Sequence, residues 1–149
     1  MEKQTKKKRD TKLESQAAEF LVLSHLLLER ISAFKSYTNF PGYDLIATGD
    51  KIARIQVKSR FQTDYDGFPI NNFASDFVVF VALNRGYERR PKKKIDTGIR
   101  PPEFFVFPIK YIEQVRDQNQ KNKWGKIMKK WLALEKYKDK WSLIKDFIK

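Results

Sequence analysis

The chain has 149 residues, 41% of them hydrophobic, no cysteine, and 31 Lys+Arg against 18 Asp+Glu, a formal net charge of +13. Without cysteine there is no disulfide framework and no thiolate metal site. No run approaches the roughly 18 apolar residues needed to span a bilayer, and the first residues lack an apolar signal core, so a cytoplasmic protein with no membrane partner is expected.

The length suits one domain with a real core, 13–149, after a basic arm at 1–12; within it a core at 13–115 precedes a C-terminal helical part at 123–149. The net charge points to a polyanion partner, nucleic acid first, against the plainer readings of solubility or a lysine-favouring codon bias. Residues 1–12 carry Lys3, Lys6, Lys7, Lys8, Arg9 and Lys12 against Glu2 and Asp10, which suits a mobile arm that touches phosphate.

From about Leu13 to Arg30, Leu13, Ala17, Leu21, Leu28 and Ile31 recur at helical spacing, with Ala18, Val22, Leu26 and Leu27 widening the stripe. A helix packed on something large is predicted. Residues 31–37 read as a first strand, Asn39, Pro41 and Gly42 as a turn, and 43–47 as a second strand. Thr48-Gly49-Asp50-Lys51 closes a hairpin onto 52–59. Period two then puts Ala53, Ile55 and Val57 on one face and Ile52, Arg54, Gln56 and Lys58 on the other, one face core and one face chemistry.

Residues 61–76 read mostly as loop. FVVFVAL at 77–83 has the pattern of an interior strand covered on both faces. A basic excursion over 84–102 reads as a surface flap, 103–109 as another strand, and 110–115 as the start of a short helix. Beyond Lys123, Trp124, Ile127, Met128, Trp131 and Leu134 form one stripe and Tyr137, Trp141, Ile144 and Ile148 a second. Two helices broken near 135–139, or one long helix, fit that spacing.

Polar residues inside the apolar hairpin point to function. Facing side chains of antiparallel neighbours lie about 5 Å apart, so Asp44, Gln56 and Lys58 can converge. The Asp44 carboxylate, the Gln56 amide oxygen and the Val57 carbonyl form an oxygen set that suits Mg²⁺. Lys58 beside the ion would orient or help deprotonate a water and offset transition-state charge, the chemistry of metal-assisted phosphodiester hydrolysis. A further acid is wanted. Glu14 and Glu19 project roughly 140° apart on a helix, and Glu19 is the choice because an idle carboxylate among Ala17, Ala18 and Phe20 would be costly to bury.

The bland alternatives are that Asp44 caps the turn after Pro41-Gly42, and that Gln56, Lys58 and Arg54 form a solvated strand face. His25 reads as a packed helix residue, and the tryptophans as core before base-stacking platforms.

Glu19 in Ala-Ala-Glu-Phe-Leu, then Gly-Tyr-Asp-Leu-Ile, then Ile-Gln-Val-Lys, in that order, resembles the PD-(D/E)XK nuclease superfamily over about residues 13–60, with weaker similarity through the two later strands. The resemblance implies an α/β fold, a mixed central β-sheet flanked by helices of restriction-endonuclease-like type with C-terminal helices. It further implies Mg²⁺-dependent DNA cleavage, Mn²⁺ substituting, with Glu19, Asp44, Gln56 and Lys58 in the roles given above. The chain departs from the pattern at Gln56, where Glu or Asp is usual; the site loses one negative charge, and Gln56→Glu is expected to tighten metal binding. Arg60, Arg85, Arg89, Arg90, Lys92, Lys93, Lys94 and Arg100 are the expected nucleic-acid contacts, and a homodimer would supply two sites for a double-strand cut. The competing functional reading keeps the fold without the chemistry: a catalytically silent module that binds nucleic acid or a protein partner.

Overall fold

In the computed structural model, residues 10–36, 42–89, 95–119 and 125–149 are described. Helix α1 spans Thr11–Leu28, with Asp10 as its N-cap, Oδ1 accepting from the Lys12 N–H at 3.0 Å. Its C-terminus closes as a Schellman motif: the Arg30 N–H donates to the Leu27 carbonyl and the Ile31 N–H to the Leu26 carbonyl. Arg30 takes the left-handed position with φ 64°, and Ile31, buried beside Leu26, supplies the motif's apolar contact.

Five strands follow the order β1-β2-β3-β5-β6: β1 (Ser32–Lys35), β2 (Leu45–Thr48), β3 (Ile52–Arg60), β5 (Phe77–Ala82) and β6 (Glu103–Pro108). All neighbours are antiparallel except β3 and β5, which run parallel. The mixed sheet flanked by helices is therefore as expected. Every residue of β5 is buried. Phe77, Val79 and Val81 face a layer with α1 residues Ala18, Val22 and Leu26 together with Trp141, Ile144 and Ile148. Val78, Phe80 and Ala82 face a second layer with Phe68, Ile112, Ile127 and Tyr137.

Three expectations change. The buried row of α1 is Ala18, Val22 and Leu26, while Leu13, Leu27 and Leu28 of the expected stripe are exposed. This helix carries leucine on both sides, so spacing alone does not orient it. Residues 61–76 are not all loop, because Gly67–Pro69 forms β4, paired antiparallel with β7 (Lys126–Met128). The strands press so close that a Cβ on Gly67 would run into the Ile127 carbonyl, which leaves glycine as the residue that fits.

The region beyond residue 125 is consequently strand first and helix later. β7 and a 3₁₀ turn (Lys129–Trp131) precede α3 (Leu134–Tyr137) and α4 (Ser142–Phe147). Helical propensity at 126–128 yields to burial of Ile127, which is 0% exposed. Helix α2 extends the expected short start to Ile109–Asn119. The second C-terminal stripe is buried as its spacing suggested, at Tyr137, Trp141, Ile144 and Ile148. No helix among the described residues is long and apolar enough to cross a membrane.

Candidate active site

At the end of the β2–β3 hairpin the sheet opens into a cleft of about 410 Å³ whose lining includes Glu19, Asp44, Gln56, Val57 and Lys58. All five residues expected to build the metal and catalytic set share that wall. Asp44 lies just before β2, yet its backbone already joins the ladder: its N–H donates to the Ile55 carbonyl at 2.8 Å, and its carbonyl accepts from the Ser36 N–H at 2.9 Å. Held on both sides, it turns its carboxylate onto β3, where Oδ2 accepts the Val57 N–H at 2.8 Å. This replaces the turn-cap reading, because the carboxylate addresses the neighbouring strand.

Gln56 is 6% exposed. Its Nε2 donates to the Gly42 carbonyl at 3.2 Å and to the Asn72 carbonyl at 3.4 Å, and its buried Oε1 has no hydrogen-bond partner among the described residues. A buried amide oxygen left unmatched is costly, and it meets the demand of a hard cation for a neutral oxygen ligand. The solvated-face reading fails at Gln56, and Lys58 is only partly exposed; Arg54, its third member, is exposed as that reading has it and pairs with Asp76 at 3.2 Å.

The electrostatics follow from crowding charge into a half-dry cleft. Burial pushes the Asp44 carboxyl above its ordinary value, against the Val57 N–H bond and the charges of Lys58 and Lys35. Glu19 is raised by burial and by the Asp44 charge, with Lys35 opposing. Lys58 is lowered by burial, with Asp44 opposing. Two carboxylates and an ammonium shifted against their charged forms in one cleft make a functional-site signature. The donors fit a divalent cation through two carboxylates, an amide oxygen and a backbone carbonyl. A cluster of three or more His, Cys, Asp or Glu side chains does not occur among the described residues.

The cleft also holds residues that the sequence did not single out: Ser15 from α1, Tyr43, and the Asn71-Asn72 segment between β4 and β5. Lys35, whose Nζ lies 4.5 Å from the Phe20 ring centroid, lines an adjoining cleft with Lys12, Ser15 and Glu19. Asparagines in a loop and a lysine on an edge strand are ordinary in sequence, so nothing marked them.

None of the described arginines expected to contact nucleic acid lines the site cleft. Arg60 Nε donates to the Gly67 carbonyl at 2.7 Å, Arg89 pairs with Asp66 at 3.1 Å, and Arg100 pairs with Asp96 at 2.9 Å. Arg85 lines an apolar groove with Leu13, Leu21 and Phe61. Arg90, Lys92, Lys93 and Lys94, residues 1–9 of the expected 1–12 arm and Trp124 lie outside the described residues, while Asp10, Thr11 and Lys12 of that arm belong to the cap and first turn of α1.

No family model and no curated protein matches the chain. Among solved structures, the chain is similar to a bacterial homing endonuclease, with a TM-score of 0.57 and 18% identity over 93% of this chain and 94% of the other. It is also similar to a Holliday junction resolvase from the archaeal hyperthermophile Archaeoglobus fulgidus, with a TM-score of 0.47 and 16% identity over 79% of this chain and 86% of the other. The chain has a restriction-endonuclease-like α/β fold.

Proposed function

We propose, from the restriction-endonuclease-like fold and the cleft at its hairpin end, that the chain is a Mg²⁺-dependent DNA endonuclease hydrolysing phosphodiester bonds, with Mn²⁺ able to serve. One observation carries the reading. Glu19, Asp44, Gln56 and Lys58 line one cleft, and there the buried Gln56 Oε1 lacks a hydrogen-bond partner among the described residues.

Asp44, Gln56 Oε1, the Val57 carbonyl and Glu19 would hold the cation. When bound, it supplies Lewis-acid polarisation of the scissile phosphate and lowers the pKa of water. Asp44 is positioned for this by the Val57 N–H bond, which fixes its carboxylate on β3. Lys58 Nζ in its neutral form, which burial favours, would take the proton that water sheds as its oxygen bonds to phosphorus and the bond to the leaving oxygen breaks, the leaving oxygen taking up a proton from solvent. Once protonated, the same Nζ offsets charge gathering on the phosphate oxygens. Lys12 and Lys35, in the adjoining cleft, are candidates for phosphate contacts. A double-strand cut calls for two such sites, which a homodimer would supply.

The test is cleavage of plasmid, linear and branched DNA in Mg²⁺ or Mn²⁺. Wild type is expected to cut, and Asp44→Ala and Lys58→Ala to lose on the order of 10²-fold or more of the rate. Salt-sensitive DNA binding indifferent to the metal, with no cleavage, would instead establish the silent module.

A further inference from the structure

Residue 56 is gripped by its nitrogen. Gln56 Nε2 sits between the carbonyls of Gly42 and Asn72, at 3.2 and 3.4 Å, in a side chain 6% exposed. The two segments that carry these carbonyls meet closely. Gly42 has φ +108°, and a Cβ there would lie 2.5 Å from Asn72 Oδ1; that Oδ1 accepts the Ala74 N–H at 2.8 Å, locking the Asn72 turn. The slot therefore presents two acceptors to one arm of the side chain. An amide fills it with a donor, whereas a carboxylate would set an anionic oxygen against two carbonyl oxygens with no proton between them.

We infer that the Gly42–Asn72 slot selects an amide at residue 56 and excludes a carboxylate, so that Gln56 is fixed through Nε2 with Oε1 as its spare acceptor. The role of Oε1 as a cation ligand rests on the nuclease reading; the exclusion of a carboxylate does not. The consequence reverses the sequence expectation. Gln56→Glu restores the acid usual in the resembling superfamily and still damages the site, because the walls around residue 56 are built from acceptors.

The experiment compares wild type, Gln56→Glu and Gln56→Met as full chains. Denaturant unfolding is measured in EDTA, and Mn²⁺ alone is titrated into each metal-free protein by calorimetry. Methionine removes the donor without adding charge. The unfolding equilibrium constant of Gln56→Glu is expected to exceed that of wild type by about tenfold or more, the cost of an unmatched buried charged group, with Gln56→Met between the two. Mn²⁺ affinity of Gln56→Glu is expected to be no higher than that of wild type. A Gln56→Glu protein at least as stable as Gln56→Met, or one binding Mn²⁺ more tightly than wild type, overturns the inference. A wild type that neither binds Mn²⁺ nor cuts DNA sinks the nuclease reading, and the order of stabilities still decides this one.

Discussion

Asp44 shows how the proposed catalytic arrangement works against the fold that holds it. Its carboxyl and that of Glu19 both have folded-state pKa values above their ordinary 3.8 and 4.5, burial being the first cause in each. An acid whose pKa is raised on folding binds more protons folded than unfolded just above its unfolded pKa, so it withdraws stability as pH rises through that window. In metal-free protein these two groups accordingly favour the folded state near pH 4 and oppose it towards pH 8. Asp44→Asn keeps an oxygen for the Val57 N–H and removes the charge beside Glu19. It is expected to raise the Tm in EDTA at pH 8 by on the order of 2 °C, to narrow that gain towards pH 4, and to abolish cleavage. Thermal unfolding of both proteins across that range checks the sign; a gain that grows on acidification would reverse the assignment.

Among the elements, the Schellman turn after α1 sets local chemistry against backbone conformation. Arg30 occupies a left-handed position with φ 64°, a conformation costing a residue with a Cβ roughly 1–2 kcal/mol that glycine adopts freely at the price of extra unfolded-state entropy. Arg30→Gly is expected to stabilise the protein by about 0.5 kcal/mol, read as a higher urea midpoint at unchanged slope. The same scale explains what was legible in the sequence. β3 and β5 could be read because the alternation of Ala53, Ile55 and Val57 and the unbroken FVVFVA run are long enough to show a period. β4 and β7, three residues each, are too short to have one, and their pairing rests on the tertiary fit of Gly67 against Ile127. Asp44, Gln56 and Lys58 stood out because polar residues in apolar strands are anomalous. Asn71, Asn72 and Lys35 did not, because polar residues in a loop or on an edge strand are the norm. The reason for an amide at residue 56 lay in two backbone carbonyls, which no side-chain pattern records.

Across the whole molecule, some of the 31 basic side chains are paired with acids locally, and the net +13 is what acts at long range. Arg54, Arg89, Arg100 and Lys138 each have an acid within 3.2 Å, exposed pairs worth little to stability that nonetheless mute those cations towards phosphate. Around the cleft, Asp44 and Glu19 stand against Lys58 and Lys35, so an approaching phosphate meets neither a barrier nor a strong well at the site itself. Affinity should then come from the excess cations through counterion release. Raising KCl from 50 to 200 mM is expected to weaken binding to a short duplex by about 10²-fold, as for roughly four phosphate contacts. Asp44→Asn, which removes one anion facing the backbone, is expected to bind the same duplex in EDTA a few-fold more tightly, a Coulomb gain of about 1 kcal/mol even at the dielectric constant of water. Fluorescence anisotropy measures both. Tighter binding by a protein that no longer cuts separates substrate capture from chemistry, while weaker binding would mean that Asp44 takes part in holding DNA through some route other than its charge.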